Sequence, residues 1–323
     1  MIMSRRVGNI ISVVAKLGIP DHLEAGPKSA DELAGPVGAH AESLYRLMRA
    51  AASVGVMAEG ADGKFSQTPL SDVLRGNAHP SLRGFAIMGS LELVTRAWDH
   101  LEYSVRTGKT AVDAIYGKPV FQCLAENPEA AQIFNDGMTA ISTIDSAPVA
   151  QAYSFEGIYS LVDVAGGHGL LLATILQRHP HMKGTLYEIA SVLEGAPNGP
   201  LAPVMDRCTL VAGDMFTSMP AGHDAYIMKH IIHDWPDELC VKILQGCRKG
   251  VNAGGKLLVA DNVIKPGNDP DFGKILDLEM LLLPGGRERT EKQFRELFAA
   301  AGWSLNRIIP TLSPVSILEG VPA

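Results

Sequence analysis

The sequence is poor in the features that mark the easily recognised classes of protein. Of 323 residues only four are cysteine, Cys123, Cys208, Cys240 and Cys247, and no two stand at C-x-x-C spacing. That scarcity excludes a disulfide framework and a thiolate zinc site, and the four read as buried, reduced thiols of a cytoplasmic protein. Basic charge is also short: 28 Lys and Arg against 35 Asp and Glu leave a net charge of −7. A general nucleic-acid binder would carry the opposite sign. No apolar run has the uninterrupted length of a membrane span. The opening MIMSRRVGNIISVVAKLGIP sets two arginines before an apolar stretch, but Lys16 breaks it and no small-residue cleavage site follows. It reads as a helix, not a signal peptide. Internal repeats, a Gly-Lys-Ser/Thr phosphate loop and a G-x-G-x-x-G fingerprint are all missing. What remains is 46% hydrophobic and 20% charged, an ordinary globular composition long enough for two domains.

The stretch Leu161–Leu176, LVDVAGGHGLLLATIL, is the most informative. A short β-branched run predicts a buried strand, the glycines Gly166, Gly167 and Gly169 a turn, and the leucines a helix. Strand, glycine turn and helix let backbone N–H groups approach a ligand closely. Glu188, about 20 residues beyond the glycines at the end of the next predicted strand, stands where a nucleoside site wants a carboxylate for ribose hydroxyls. Gly213-Asp214-Met215-Phe216 follows a further strand. Its acid beside Met and Phe suits the polar edge and apolar face of an adenine ring, although a strand-end Asp in a turn is the plainer reading.

Two more constellations carry chemistry. Lys229-His-Ile-Ile-His-Asp-Trp235 follows a predicted strand, so its side chains fall at the carboxyl edge where open α/β sheets hold ligands. His233 is the candidate general base there, being tuned for proton transfer near neutral pH. A metal held by His230, His233 and Asp234 lacks a further clear ligand. In Gly285-Gly-Arg-Glu-Arg-Thr-Glu-Lys, Thr290 and Gln293 form a capping box for the next helix, which leaves Glu288 free for another task. Glu288 and Asp261, which ends LLVAD, have equal claim to the far ring nitrogen of His233, as the third member of a triad.

Along the chain, residues 1–90 read as helices. Ser29 and Glu32 form a capping box, a helix near 41–54 turns Leu44, Leu47, Met48 and Ala51 to one side, and a hairpin folds about Asp62-Gly63. That is a winged-helix pattern, but with only Arg46 and Arg49 on the second helix a structural role outweighs DNA binding. Residues 90–150 continue helical, with Trp98, Tyr103, Phe121, Phe134, Met138 and Ile141 as a stripe that serves either core or pocket. Tyr153–Ser160 reads as a linker. Beyond it, strands at 161–164, 184–188, 208–211, 224–228 and 255–261 alternate with helices to Gln177, near 190–195, at 236–250 and at 290–301. Strands near 304–309 and 314–319 close a mostly parallel sheet covered by helices.

Together the glycine turn, GDMF, KHIIHDW and GGRERTEKQF resemble the S-adenosylmethionine (SAM)-dependent O-methyltransferases of the plant caffeate and bacterial polyketide type. KLGIPDHLEAGPKSADELA and FSQTPLSDVLR resemble that family's dimerisation domain, so the resemblance covers nearly the whole chain. It implies an α/β fold: a Rossmann-like SAM-binding domain at 153–323, preceded by a winged-helix-like dimerisation domain at 1–90 and a helical connector at 91–152. It implies that Gly167, Gly169, Glu188, Gly213, Asp214, Met215, Lys229 and Trp235 hold SAM and its product S-adenosylhomocysteine, with no metal. His233 would deprotonate a phenolic hydroxyl, aided by Asp261 and Glu288, while Met138, Asp234 and Met280 flank an aromatic acceptor. A cytoplasmic homodimer follows, with neither nucleic acid nor membrane as partner. Three positions depart from the family pattern: Ala165 replaces a glycine, Glu188 an aspartate, and the segment before the dimerisation motifs is short. The alternatives are a tailoring enzyme of this fold that hydroxylates or decarboxylates, a winged-helix regulator, and an NAD dehydrogenase. The intact His233 and Glu288, the weakly basic second helix and the GDMF motif disfavour them in turn.

Overall fold

The structure is a computed structural model and describes residues 2–323. The chain divides into two compact units, one comprising the chain to Asp99 with Val120–Thr143, the other His100–Pro119 with Ile144–Ala323.

The first unit follows the predicted helix, helix, hairpin order. Helix Ser4–Lys16 occupies the stretch that imitates a signal peptide. Ser29 accepts the Glu32 N–H at 3.2 Å while Glu32 accepts the Ser29 N–H at 2.7 Å, a closed capping box. Helix Ala41–Ser53 buries Leu44, Met48 and Ala51, and Leu47 is half-buried beside them. Strands β1 (Met57–Glu59) and β2 (Phe65–Gln67) pair antiparallel about Gly63, whose φ of 74° suits glycine. The apolar faces of these elements meet in one core around Val14, Leu33, Met48 and Phe65.

The second unit is built on β3 (Ser160–Val164), β4 (Lys183–Glu188), β5 (Cys208–Ala212), β6 (His223–Lys229) and β7 (Val251–Asp261). A short parallel pair, β8 (Val263–Ile264) with β9 (Arg289–Thr290), and the strands β10 (Trp303–Pro310) and β11 (Ser316–Pro322) complete it. The large sheet runs β10-β11-β7-β6-β3-β4-β5, with β3 to β7 mutually parallel and the last two strands antiparallel. The chain leaves β3 towards β4 and β5, then returns to place β6 on the other side. Strand order therefore reverses between β3 and β6, the position at which doubly wound sheets open a crevice. Alternate residues feed two cores: Leu161, Leu186, Ile227 and Leu258 one, Val162, Tyr187, Met228 and Val259 the other. Leu171, Leu172 and Leu176 of helix Leu170–Arg178 cover the first, and Ile243, Leu244, Phe294 and Phe298 cover the second.

Three expectations need correcting. Tyr153–Ser160 is no loose linker, because Tyr153, Phe155 and Ile158 are buried in the first core. None of the six large residues of the 90–150 stripe is fully buried, and Phe121 is 43% exposed. In helix Pro128–Ala152 the buried places go instead to Ala130, Ala140, Asp145, Ser146, Val149 and Ala150. Cys208 is half-buried, not buried, although all four cysteines are free.

Candidate active site

Apart from Met138 and Met280, the predicted residues gather at the carboxyl ends of the parallel strands. The β3 turn carries Ala165, Gly167 and Gly169 at φ of 52°, 59° and 79°. A side chain at Gly166 would overlap the Asp163 carboxylate, and one at Gly169 would press on Leu201, but one at Gly167 would meet nothing within 4 Å. The turn is thus tight beneath and open above. The Gly167 N–H donates to Glu188 Oε2 at 3.0 Å and the Ile189 N–H to Oε1 at 2.8 Å, so acid and glycine turn form one surface. The methylene that distinguishes Glu188 from aspartate lets its carboxylate span both donors. Gly213 N–H donates to the Glu188 carbonyl at 3.0 Å. Asp214 accepts the Phe216 N–H at 2.9 Å, so the plainer turn role is filled there. Phe216 meets Trp235 edge to face at 4.8 Å, with Met215 half-buried against the same core. Below them Asp163 Oδ2 is buried without a hydrogen-bond partner, and burial, only partly offset by Lys229, pushes the carboxyl up to about 7. Open backbone beside a buried acid with one unpartnered oxygen fits a cationic nucleoside-type group. Lys229 keeps company with Asp145, Asp163 and Asp261, yet burial pulls its ammonium below the usual range.

The histidine turn is the second half of the site. His230 takes a left-handed φ of 57°, and His233 lies in the short turn Ile232–Asp234. Their rings stack at 5.1 Å and 28°. Each ring meets a carboxylate: His233 Nδ1 lies 2.7 Å from Glu288 Oε1, and His230 Nε2 lies 2.8 Å from Asp145 Oδ2. Burial pulls His233 down, but Asp234, the Glu288 bond and Asp261 outweigh it and push the imidazole up to about 10. For His230 burial wins, and with Lys229 and His233 nearby the ring falls to about 4. Glu288 alone holds the far nitrogen that the sequence offers equally to Asp261. Asp261 instead stands 3.8 Å from His230 Nδ1, with neither oxygen hydrogen-bonded and its carboxyl pushed up by burial to about 7. It belongs to a separate strand end, one step too far for a bond to His233. Asp234 Oδ1 is 3.6 Å from His233 Nε2. His230, His233 and Asp261 each offer a donor atom within 4.8 Å of the others, whereas Asp234 is not in that group, and among the described residues no fourth donor joins the three.

The segment 285–290 supports that turn. Arg287 N–H donates to the His233 carbonyl at 2.8 Å, and the Glu288 N–H donates to Asp277 Oδ1 at 2.8 Å. Thr290 and Gln293 form the predicted capping box. Met280 is 8% exposed on helix Phe272–Leu282, an element with no counterpart in the sequence expectations. Met138 is half-buried on helix Pro128–Ala152, in the first unit. Sequence reasoning missed Asp145, Asp277 and Asn262, whose Nδ2 lies 3.4 Å from Glu288 Oε1. For Asp145 a signal exists: it is the only charged residue between Gly137 and Ala152. A cavity of about 420 Å³ at the opposite, amino-terminal edge is lined by Phe155, Tyr159, His179 and His181 and contains none of these residues.

Comparison with known proteins agrees with this geometry. An O-methyltransferase domain model matches residues 98–304, and an O-methyltransferase dimerisation domain model matches residues 2–76. The phenazine O-methyltransferase PhzM of Lysobacter antibioticus is 40% identical over 100% of this chain and 94% of its own length. The mitomycin biosynthesis 6-O-methyltransferase of Streptomyces lavendulae is 37% identical over 96% and 89%. The solved structure of LaPhzM superposes with a TM-score of 0.94 at 40% identity, covering 100% of this chain and 97% of that one.

Proposed function

The chain belongs to the SAM-dependent O-methyltransferase family, and from that premise we propose that it methylates a phenolic hydroxyl of an aromatic secondary metabolite with His233 as general base. The observation that carries the base assignment is the buried His233–Glu288 bond of 2.7 Å at the carboxyl edge of the sheet. Glu288 fixes Nδ1 as the protonated nitrogen, which turns Nε2 to the acceptor hydroxyl.

SAM supplies a methyl group already activated on a sulfonium. Gly167 and Gly169 would let backbone approach it, and Glu188 would hold the ribose. Gly213, Asp214, Met215 and Trp235 would hold the adenine side, with Lys229 and Asp163 beneath. Met138, Asp234 and Met280 would flank the acceptor. His233 Nε2 receives the acceptor proton, and Glu288, with Asp234 and Asp261 near, stabilises the imidazolium that results. Positioning by these groups is worth about 7–11 kcal/mol, more than the base contributes. Residues 1–90 serve dimerisation, 91–152 connect, and 153–323 carry the cofactor, in a cytoplasmic homodimer. Val13, 41% exposed on helix Ser4–Lys16, and Val54, 40% exposed at the end of helix Ala41–Ser53, support pairing, and light scattering tests it.

The deciding experiment is His233→Ala. We expect kcat to fall by about 10²–10⁴-fold while calorimetry finds cofactor affinity unchanged. Alkaline pH should rescue part of the loss, because solvent then supplies the phenolate. Full methylation by the variant at neutral pH would remove His233 from the mechanism.

A further inference from the structure

Arg289 is 1% exposed, the bulkiest fully buried cation of the second unit; besides the Arg287 carbonyl at 3.2 Å and Cys240 Sγ at 3.4 Å, its hydrogen bonds tie it to the histidine turn and the start of the helix that follows. Its Nη1 donates to the Ile232 carbonyl at 2.9 Å and its Nη2 to the Trp235 carbonyl at 3.0 Å. Of the two carbonyls between them, that of His233 receives the Arg287 N–H at 2.8 Å. Asp237 Oδ1 balances the guanidinium, accepting Nη2 at 2.7 Å and Nε at 3.1 Å. A side chain at Gly286 would overlap the His233 carbonyl, so this segment lies directly on the turn. Glu288, the residue before Arg289 and just ahead of β9, reaches His233 Nδ1 from the same segment.

We propose that Arg289 is a positioning residue: by grasping the carbonyls on both sides of His233 it holds the imidazole in register with Glu288. A planar guanidinium can hold two carbonyls and a carboxylate at once, each in its own direction; an ammonium is a point charge and cannot. Because Arg289 and Glu288 are consecutive, a displacement of the turn breaks the His233–Glu288 bond before it disturbs the glycine turn. The proposal rests on the reading of His233 as base, but its first test does not need catalysis. The groups that face His233 are His230, Asp234, Asp261 and Glu288, and of these only Glu288 hydrogen-bonds it.

The test follows the His233 ring by NMR titration in wild type, Arg289→Lys, Glu288→Gln and the double variant, alongside kcat. Thermal denaturation checks that each is folded. In Arg289→Lys the His233 titration should move down towards the ordinary range near ~6.5. Its kcat should fall about 100-fold, the cost of a misplacement near 1 Å, with KM for the cofactor unchanged. The double variant should lose no more than the worse single variant, since both act through one bond. If Arg289→Lys does not fold, Asp237→Asn, which removes the counter-charge but keeps the guanidinium, should shift the titration the same way by less. A wild-type titration in the folded variant, or losses that multiply in the double, overturns the proposal. An active His233→Ala would overturn the base assignment and leave the titration result standing.

Discussion

The two halves of the site solve the same problem with different materials. At the glycine turn, order comes from backbone: the Gly167 and Ile189 N–H groups meet Glu188, and Gly213 N–H meets its carbonyl. At the histidine turn, order comes from buried side chains brought from residues 145, 230, 233, 261 and 288, with two histidines pushed to about 4 and about 10 by opposite outcomes of one contest between burial and neighbouring acids. A backbone surface suits a ligand that must be held and released. A charged, buried network suits a proton that must be moved.

Disturbing each half should therefore show in a different measurement. After His233→Ala itself, the largest effect belongs to Gly286→Ala, which forces the 285–289 segment off the His233 carbonyl. Its kcat should fall by about 100-fold with cofactor affinity unchanged, a split that steady-state kinetics and calorimetry together resolve. Glu188→Ala should do the reverse, weakening cofactor binding by about 1–3 kcal/mol, since the ribose hydroxyls lose the carboxylate proposed to accept them, while kcat at saturation holds. If instead Glu188→Ala chiefly lowers kcat, the division between holding and proton transfer is wrong.

A third outcome concerns pH. His233 is pushed up to about 10, so the free chain holds it protonated at neutral pH and the base form grows as pH rises. For a phenolic acceptor kcat/KM should climb from neutral into alkaline solution. Glu288→Gln removes one of the contacts that raise the imidazole, so the climb should begin at lower pH and reach a lower plateau. The smallest effect is at Ala165, whose φ of 52° costs an alanine about 1–2 kcal/mol that glycine does not incur. Ala165→Gly should raise thermal stability by about 1 kcal/mol, and a fall would show that the alanine methyl is needed.

The backbone half was the more legible of the two in sequence. Glycines, a following leucine-rich helix and an acid about 20 residues on are local signals, and the turn, helix Leu170–Arg178 and Glu188 lie where that spacing puts them. The capping boxes at Ser29 and Thr290 are equally local, since each is written within four residues. The side-chain half was only partly legible. His233 and Glu288 are 55 positions apart, and no periodicity decides between Glu288 and Asp261 as partner. Asp145 joins from a helix 85 positions before His230. Helix Phe272–Leu282 escaped notice because its run of apolar residues, Ile275, Leu276, Leu278, Met280, Leu281 and Leu282, has weak helical sidedness. The fold followed from alternation of local patterns; the network depends on tertiary meeting points.

The raised carboxyls of the site have a calorimetric consequence. Asp163 and Asp261 are each held near 7 and Asp234 near 6, so at neutral pH the empty site carries a fractional load of protons. A sulfonium bound near these acids would favour the ionised carboxylates and should expel part of that load. The heat of cofactor binding should then vary with the ionisation enthalpy of the buffer, and the slope of that line counts the protons released. The neutral product, S-adenosylhomocysteine, should give a flatter line. The same buried acids would thus let the chain distinguish a loaded methyl donor from a spent one by charge alone.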